Sequence, residues 1–235
     1  MTEITILAVS RMSDGVCVAG ITDDGQWVRP TRPRTGSWRY LDYDDCKDSK
    51  RHWIILKGNR VKMHLMDKIP EGAHSEDWLI GDKKPQLIEE LSEDDYKTFC
   101  ERFTEKSLDE IDCEEAERSL ILIHPSKITS FSFAVETNWE GQRKFIPRCG
   151  FKLGNHIHLR KGISDLEWRG YGRQVMRKHS GSSNCLLQAS EIFDQNGTKD
   201  CWFTVGRNLL KKGFYILVVG VHLFPVRHFE MDFKR

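Results

Sequence analysis

The residues of this chain best equipped to act on another molecule lie between Arg143 and Lys178. Arg143, Lys144, Arg148, Lys152, Arg160, Lys161, Arg169, Arg173, Arg177 and Lys178 stand against Asp165 and Glu167 alone, and Phe145, Phe151, Trp168 and Tyr171 are interleaved with them. Cations track phosphates by releasing counterions, and rings stack on bases, so the mixture suits a single strand of nucleic acid. The competing reading is a solvated basic face whose rings point into a core. A second constellation lies earlier. Trp27 follows the turn Asp23–Gly25, and Arg29, Arg32, Arg34 and Trp38 follow it through a loop broken by Pro30 and Pro33. Here a ring can stack while guanidinium groups hold phosphate or a base edge. Alternatively Trp27 packs beneath the turn and Arg29 pairs with a carboxylate.

Other chemistries find less support. His156 and His158 alternate on one strand face and, with Cys149 or Cys185, offer zinc-type donors. No regular spacing accompanies them, so they are read as surface or core histidines and no metal is expected. Neither a GxSxG elbow, a Walker glycine loop nor an HExxH pair occurs. No catalytic residue or cofactor is therefore assigned. A nuclease or nucleotide-modifying enzyme would need carboxylates gathered in space; Asp165, Glu167, Asp194 and Asp200 are the available ones. On a helix, Asp165 and Arg169 lie four apart and are expected to pair, with Ser164 as cap and Trp168 turned inward.

The chain has 235 residues, 39% of them hydrophobic, and a net charge of only +1. Its charge is segregated, since an acidic segment from Glu71 to Glu117 precedes the basic one. That segment reads as a solvated helix face, with contact to a protein partner as the alternative. Seven cysteines, an odd number at long spacings without CxxC, argue against a disulfide framework or zinc ribbon. No basic leader precedes an apolar run, and the longest such run, Phe214 to Val221, is too short for a bilayer. A cytoplasmic protein without membrane contact is expected.

The elements that must position these residues are mostly strands. Ile4–Val9, Val16–Ile21 and Gln26–Arg29, joined by Asp-Gly turns, describe a meander. A hairpin is expected over 52–65, a helix from about Glu93 to Phe103, and strands over 119–123 and 128–135. The turn 138–142 marks the expected domain boundary. Beyond it the pattern predicts strands at 144–148 and 156–160, a helix over 164–175 and a strand over 186–193. A hairpin turn at 194–200 and two closing strands complete the reading. Short strands with Asp/Gly turns and no βαβ alternation indicate closed or half-open barrels.

Three stretches carry a resemblance: ILAVSRMSDGVCVAGITDDGQWVRP, ISDLEWRGYGR and FYILVVGVHLFP. Together they resemble the dual OB-fold domain family of prokaryotic proteins. The family's Gly-x-Trp-Val-Arg-Pro element corresponds to Gly25, Trp27, Val28, Arg29 and Pro30, and its Asp-x-x-Trp-Arg element to Asp165, Trp168 and Arg169. The resemblance implies a mainly β fold of two tandem OB-like barrels and a nucleic-acid-binding role. Residues 1–138 would form the first barrel, with an acidic helical insertion at 71–118. Residues 139–235 would form the second, with the basic stretch 143–178. The expected function is a single-stranded nucleic-acid-binding module using Trp27, Arg29, Arg32, Arg34, Trp38, Arg160, Lys161, Arg169, Tyr171 and Arg173. An enzyme on nucleic acid and a protein-interaction or effector-sensing module are the alternatives.

Overall fold

Strand β1 (Thr2–Met12) is buried continuously from Ile4 to Ser10, because it has a core on each side. Ile4, Ile6 and Val9 face one core and Leu7 and Ala8 another. A bulge at Leu7, where the register with its neighbour shifts between Ile6 and Ala8, lets successive residues serve both. The computed structural model describes residues 1–12, 15–33, 39–72, 74–137, 141–179, 183–210 and 213–233.

The chain continues as β2 (Gly15–Ile21), β3 (Trp27–Pro33), β4 (Arg39–Tyr40), β5 (Asn59–Met63), β6 (Leu65–Lys68), β7 (Asp77–Ile80), β8 (Gln86–Glu90) and α1 (Glu93–Arg102). Then follow β9 (Leu120–Ile123), β10 (Lys127–Thr137), β11 (Arg143–Leu153), β12 (His156–Gly162), α2 (Leu166–Lys178), β13 (Asn184–Gln188), α3 (Ala189–Asn196), β14 (Asp200–Leu210) and β15 (Gly213–Phe224). The chain is thus mainly β, with curled sheets forming OB-type half-barrels. The first sheet runs β6-β7-β3-β2-β1-β5-β8, with β4 on β3; the others run β12-β11-β10-β13 and β15-β14-β9.

One topology occurs twice. In each half a three-strand meander is joined by a later strand on the free side of its first member: β3-β2-β1-β5 and β12-β11-β10-β13. The third strand then meets a later strand in parallel: β3 pairs with β7, and Ile163, just past β12, bridges to Val218 of β15. The repeat is one of topology, with no counterpart visible as sequence identity.

Several expectations shift. The boundary expected at 138/139 falls between strands of one hairpin, since β10 and β11 pair out to Thr137↔Arg143. Strands β9 and β10 pair only with later strands, so by strand pairing the halves divide before β9. The acidic segment 71–118 carries α1 as expected, and also β7 and β8, which extend the first sheet. Over 52–65 there is no hairpin; Gly58, at φ 84°, bonds to Ile6 O, and β5 lies between β1 and β8. Over 186–193 the strand stops at Gln188 and α3 begins, with Glu191 accepting from Gln188 N–H. The Asn-Gly pair expected in a hairpin instead ends α3, with Gly197 left-handed as its cap.

The halves meet on a shared core. Ala8, Ala19, Ile21 and Trp27 of the first sheet pack with Tyr96, Phe99 and Cys100 of α1 and with Leu120, Leu122, Trp202, Val219 and Phe224. Ser92 caps α1 by accepting from Asp95 N–H, and Glu93, Asp94 and Asp95 sit at the positive end of its dipole. At Gly220 a Cβ would lie 2.3 Å from Leu7 O, so glycine allows β15 to approach β1.

Polar groups cross the same junction. Asp165 caps α2 by accepting from Trp168 N–H at 2.8 Å, and its other oxygen accepts from Lys57 Nζ at 2.5 Å and Val221 N–H at 2.8 Å. Lys57 also donates to Val221 O and pairs with Glu167 at 3.1 Å. Burial opposes the ammonium charge, but Asp165 and Glu167 outweigh it and raise the Lys57 pKa. Asp165 rather than Ser164 is therefore the cap, and the expected Asp165–Arg169 pair is replaced by Asp165–Lys57. Capping turns the carboxylate toward the helix N-terminus, away from Arg169 one turn on.

Removing the Asp165 carboxylate leaves the buried ammonium with Glu167 as its remaining counter-charge and the Trp168 and Val221 N–H groups without their acceptor, so Asp165→Ala should cost about 3 kcal/mol in urea unfolding. Lys57→Met in the same chain should recover part of that loss; an additive double mutant would contradict the coupling. Glu167 also accepts from His228, which raises the imidazole pKa. Stability from this contact is complete below the ordinary imidazole value of about 6.5 and lost as pH rises through the raised one. The urea midpoint of His228→Gln should therefore lag the parent at acidic pH and converge with it at alkaline pH.

Candidate nucleic-acid interface

The first constellation is internal. Trp27 is only 8% exposed and lies in the core beneath α1. Arg29 makes a bidentate pair with buried Asp77, at 2.5 and 2.9 Å. Arg32 bonds to Asp45 at 3.0 Å and to Gly81 O. Arg34 and Trp38 lie outside the described residues. The alternative reading of Trp27 and Arg29, a packed ring and a paired cation, is the one the structure bears out.

The rings of the basic stretch are internal as well. Phe145, Phe151, Trp168 and Tyr171 are all buried in the second core. Tyr171 OH accepts from Asn196, and its ring packs on Phe229, so it offers no free face to a base. Arg169 is buried, donating to Phe145 O and to Asp232. Arg173 bonds the same carboxylate at 2.7 Å. Lys161 is half-buried opposite Cys149. Arg160 is exposed in a bulge of β12, at φ 53°. His158 stacks on Phe151. Of the carboxylates considered for a metal site, Asp165 and Glu167 converge on Lys57 and Asp200 pairs with Lys97; among the described residues no three potential ligands gather for a metal.

Alternation along β11 separates this stretch into two faces. Phe145, Pro147, Cys149, Phe151 and Leu153 point inward and are buried. Lys144, Ile146, Arg148, Gly150 and Lys152 therefore point outward. Register carries that outer face across the sheet. Lys152 stands beside Lys127 and Ile157; Gly150 beside Ser130, which faces Gln188; and Arg148 beside Ser132, which faces Leu186. Small side chains (Ser130, Ser132, Ala134 and Gly150) make a floor. Ile157, Leu159 and Leu186 stand at its two edges, 65%, 68% and 65% exposed.

Exposed cations surround this floor. Lys127, Lys144, Lys152 and Arg160 form no ion pair with a described residue. Arg148 is the exception, in a bidentate pair with Glu136 at 2.6 and 2.9 Å that pulls the Glu136 pKa down. The sequence reading named Arg160 as a binding residue and counted Lys144 and Lys152 in the basic stretch, but did not include Lys127, Ile157, Leu159 and Leu186. For β11 the signal was present, since its buried Phe145, Cys149 and Phe151 are in phase.

The equivalent face of the first meander is closed. Ala19 and Ile21 of β2 and Trp27 of β3 lie under Tyr96 and Phe99 of α1 and against the second half. Of the two repeats, the second keeps an open sheet face among the described residues. No described helix is long and apolar enough to cross a membrane.

Among curated proteins none matches the chain. The dual OB-containing domain matches it over residues 2–190, through both meanders, α2 and β13. Domains of the OB fold generally bind nucleic acids or proteins. The duplicated strand order and this match over most of its length agree, and the chain belongs to the dual OB-containing domain family.

Proposed function

We propose that this protein binds single-stranded nucleic acid on the outer face of the β12-β11-β10-β13 sheet, chiefly through phosphates. In this reading the first barrel, β1 to β8, is a scaffold, and the second, β9 to β15, is the binding unit. The observation that carries it is the set of exposed cations, Lys127, Lys144, Lys152 and Arg160, around a floor of small residues of which Ser130 and Ser132 are half-buried and Ala134 and Gly150 buried. Opposite edges of the floor stand about 14 Å apart, three strand spacings, which suits the width of one strand. The middle strands of OB barrels carry the ligand face in general, and β11 and β12 are those strands here. With no exposed ring on this face among the described residues, sugars and bases would rest on Ile157, Leu159 and Leu186. Recognition would then depend little on sequence.

Those three exposed aliphatic side chains also suit a protein partner, which is the second reading. Salt separates the two. If three phosphates are held, a fourfold rise in salt should weaken single-strand binding by roughly tenfold or more. Lys144→Ala, Lys152→Ala and Arg160→Ala should each lower affinity and flatten the salt slope by about 0.7 in fluorescence-anisotropy titrations. Arg29→Ala should lower stability and leave the slope alone, because Asp77 occupies its guanidinium. Binding unaffected by the three face variants would move the site elsewhere. No salt-dependent binding to any oligonucleotide would leave the protein-partner reading.

A further inference from the structure

The tail after β15 is irregular through Phe233, yet it docks residue by residue. His228 bonds to Glu167, and Phe229 packs on Trp168 and Tyr171. Glu230 O lies against Gly170, where a Cβ would be 1.6 Å away. Met231 packs on the first core, and Phe233 meets Tyr43 and Trp53 of the first half. Between them Asp232 places its carboxylate on Arg169 and Arg173, at 3.2 and 2.7 Å, while its N–H donates to Leu166 O.

We propose that Arg169 and Arg173 form a phosphate-binding site that Asp232 closes in cis, and that a nucleic-acid phosphate displaces the tail from it. This rests on the reading of the β12-β11-β10-β13 sheet as a nucleic-acid face and names a further site beside β11, on the side to which Phe145 points. Three observations point to a ligand more highly charged than the carboxylate. First, the two guanidinium groups are held over one ring, with Cζ 5.3 and 4.7 Å from the centroid of Phe145. Arg169 is fixed in place by Phe145 O and Asp232, and Arg173 by Asp232, an arrangement of donors that suits phosphate oxygens. Second, Arg169 lies close enough to Arg11 and Arg173 to feel both charges. Burial, Arg11 and Arg173 together push the Arg169 pKa down to about 10, with Asp232 pulling the other way. Third, Arg169 is 5% exposed, and its Nε has no hydrogen-bond partner. The arginines lie within residues 2–190, matched to the family, whereas Asp232 lies beyond them. The counter-charge is thus supplied from outside the matched domain.

The site can be tested in the full chain. Asp232→Asn keeps the size of the side chain and removes its charge. It should tighten binding of a 5′-phosphorylated single-stranded oligonucleotide by about tenfold, because the competent state no longer has to displace a carboxylate. It should also create measurable binding of inorganic phosphate. Arg173→Ala added to Asp232→Asn should abolish both gains. Comparison with the unphosphorylated oligonucleotide distinguishes a terminal phosphate from an internal one. In the parent protein, oligonucleotide should raise amide hydrogen exchange across residues 228–233, a readout independent of whether the variants fold. If Asp232→Asn lowers stability without changing either affinity, and exchange in the tail is unchanged on binding, the contact is only a clasp. The sheet-face reading would survive that result wherever the parent still binds with a salt slope. Phosphate binding by Asp232→Asn with no oligonucleotide binding by any form would overturn the displacement step and the sheet-face reading together.

Discussion

A single buried carboxylate holds the two halves in register. Asp165 accepts from the start of α2, from Lys57 in the first half and from the backbone of β15. Each partner belongs to a different element, so the geometry of all three depends on one side chain. Desolvating this pair costs several kcal/mol per ion, and the return comes from close contact and from the extra N–H donors. An apolar pair of similar volume could match its stability but would not specify the same alignment of barrel, helix and hairpin.

The surrounding polar seam follows from that placement. His222 sits between Tyr96 OH and Thr204 Oγ1, at 2.6 and 2.8 Å. Burial, then the nearby Lys57 charge, push its pKa well below the ordinary value, so it stays neutral. A neutral imidazole can donate on one nitrogen and accept on the other, which suits a hydroxyl on each side. Thr204 reaches on to Leu7 O at the β1 bulge, at 3.2 Å. Hydrogen bonds therefore run from α1 through β15 and β14 to β1, alongside the apolar contacts of the junction.

Burying the junction decides which surface remains for a ligand. The first meander gives its outer face to α1 and the second half, while the second meander keeps its own. The repeated topology thus gives one meander with a covered outer face and one whose outer face carries exposed side chains among the described residues. Charge follows the same division. Arg29 and Arg32 of the first half pair with Asp77 and Asp45, whereas Lys127, Lys144 and Lys152 of β10 and β11 project into solvent.

Local signals in the sequence were sufficient for the meander, for α1 and α2 and for the mainly β class. Asp-Gly turns, capping residues and apolar periodicity act over a few residues and need no distant partner. The family resemblance was likewise legible from short stretches. Pairing between distant residues was not. Nothing near Arg29 in sequence names Asp77, and nothing near Asp165 names Lys57, because those contacts exist only once the sheets have closed. Nor does the sequence say what covers each candidate side chain: Trp27 and Tyr171 are packed in the cores, and Arg169 and Arg173 are held by Asp232 of the tail. Side-chain types and their alternation fixed which residues of β11 share a face. Only the tertiary structure decided which face is covered, because burial is a property of what the rest of the chain packs against it.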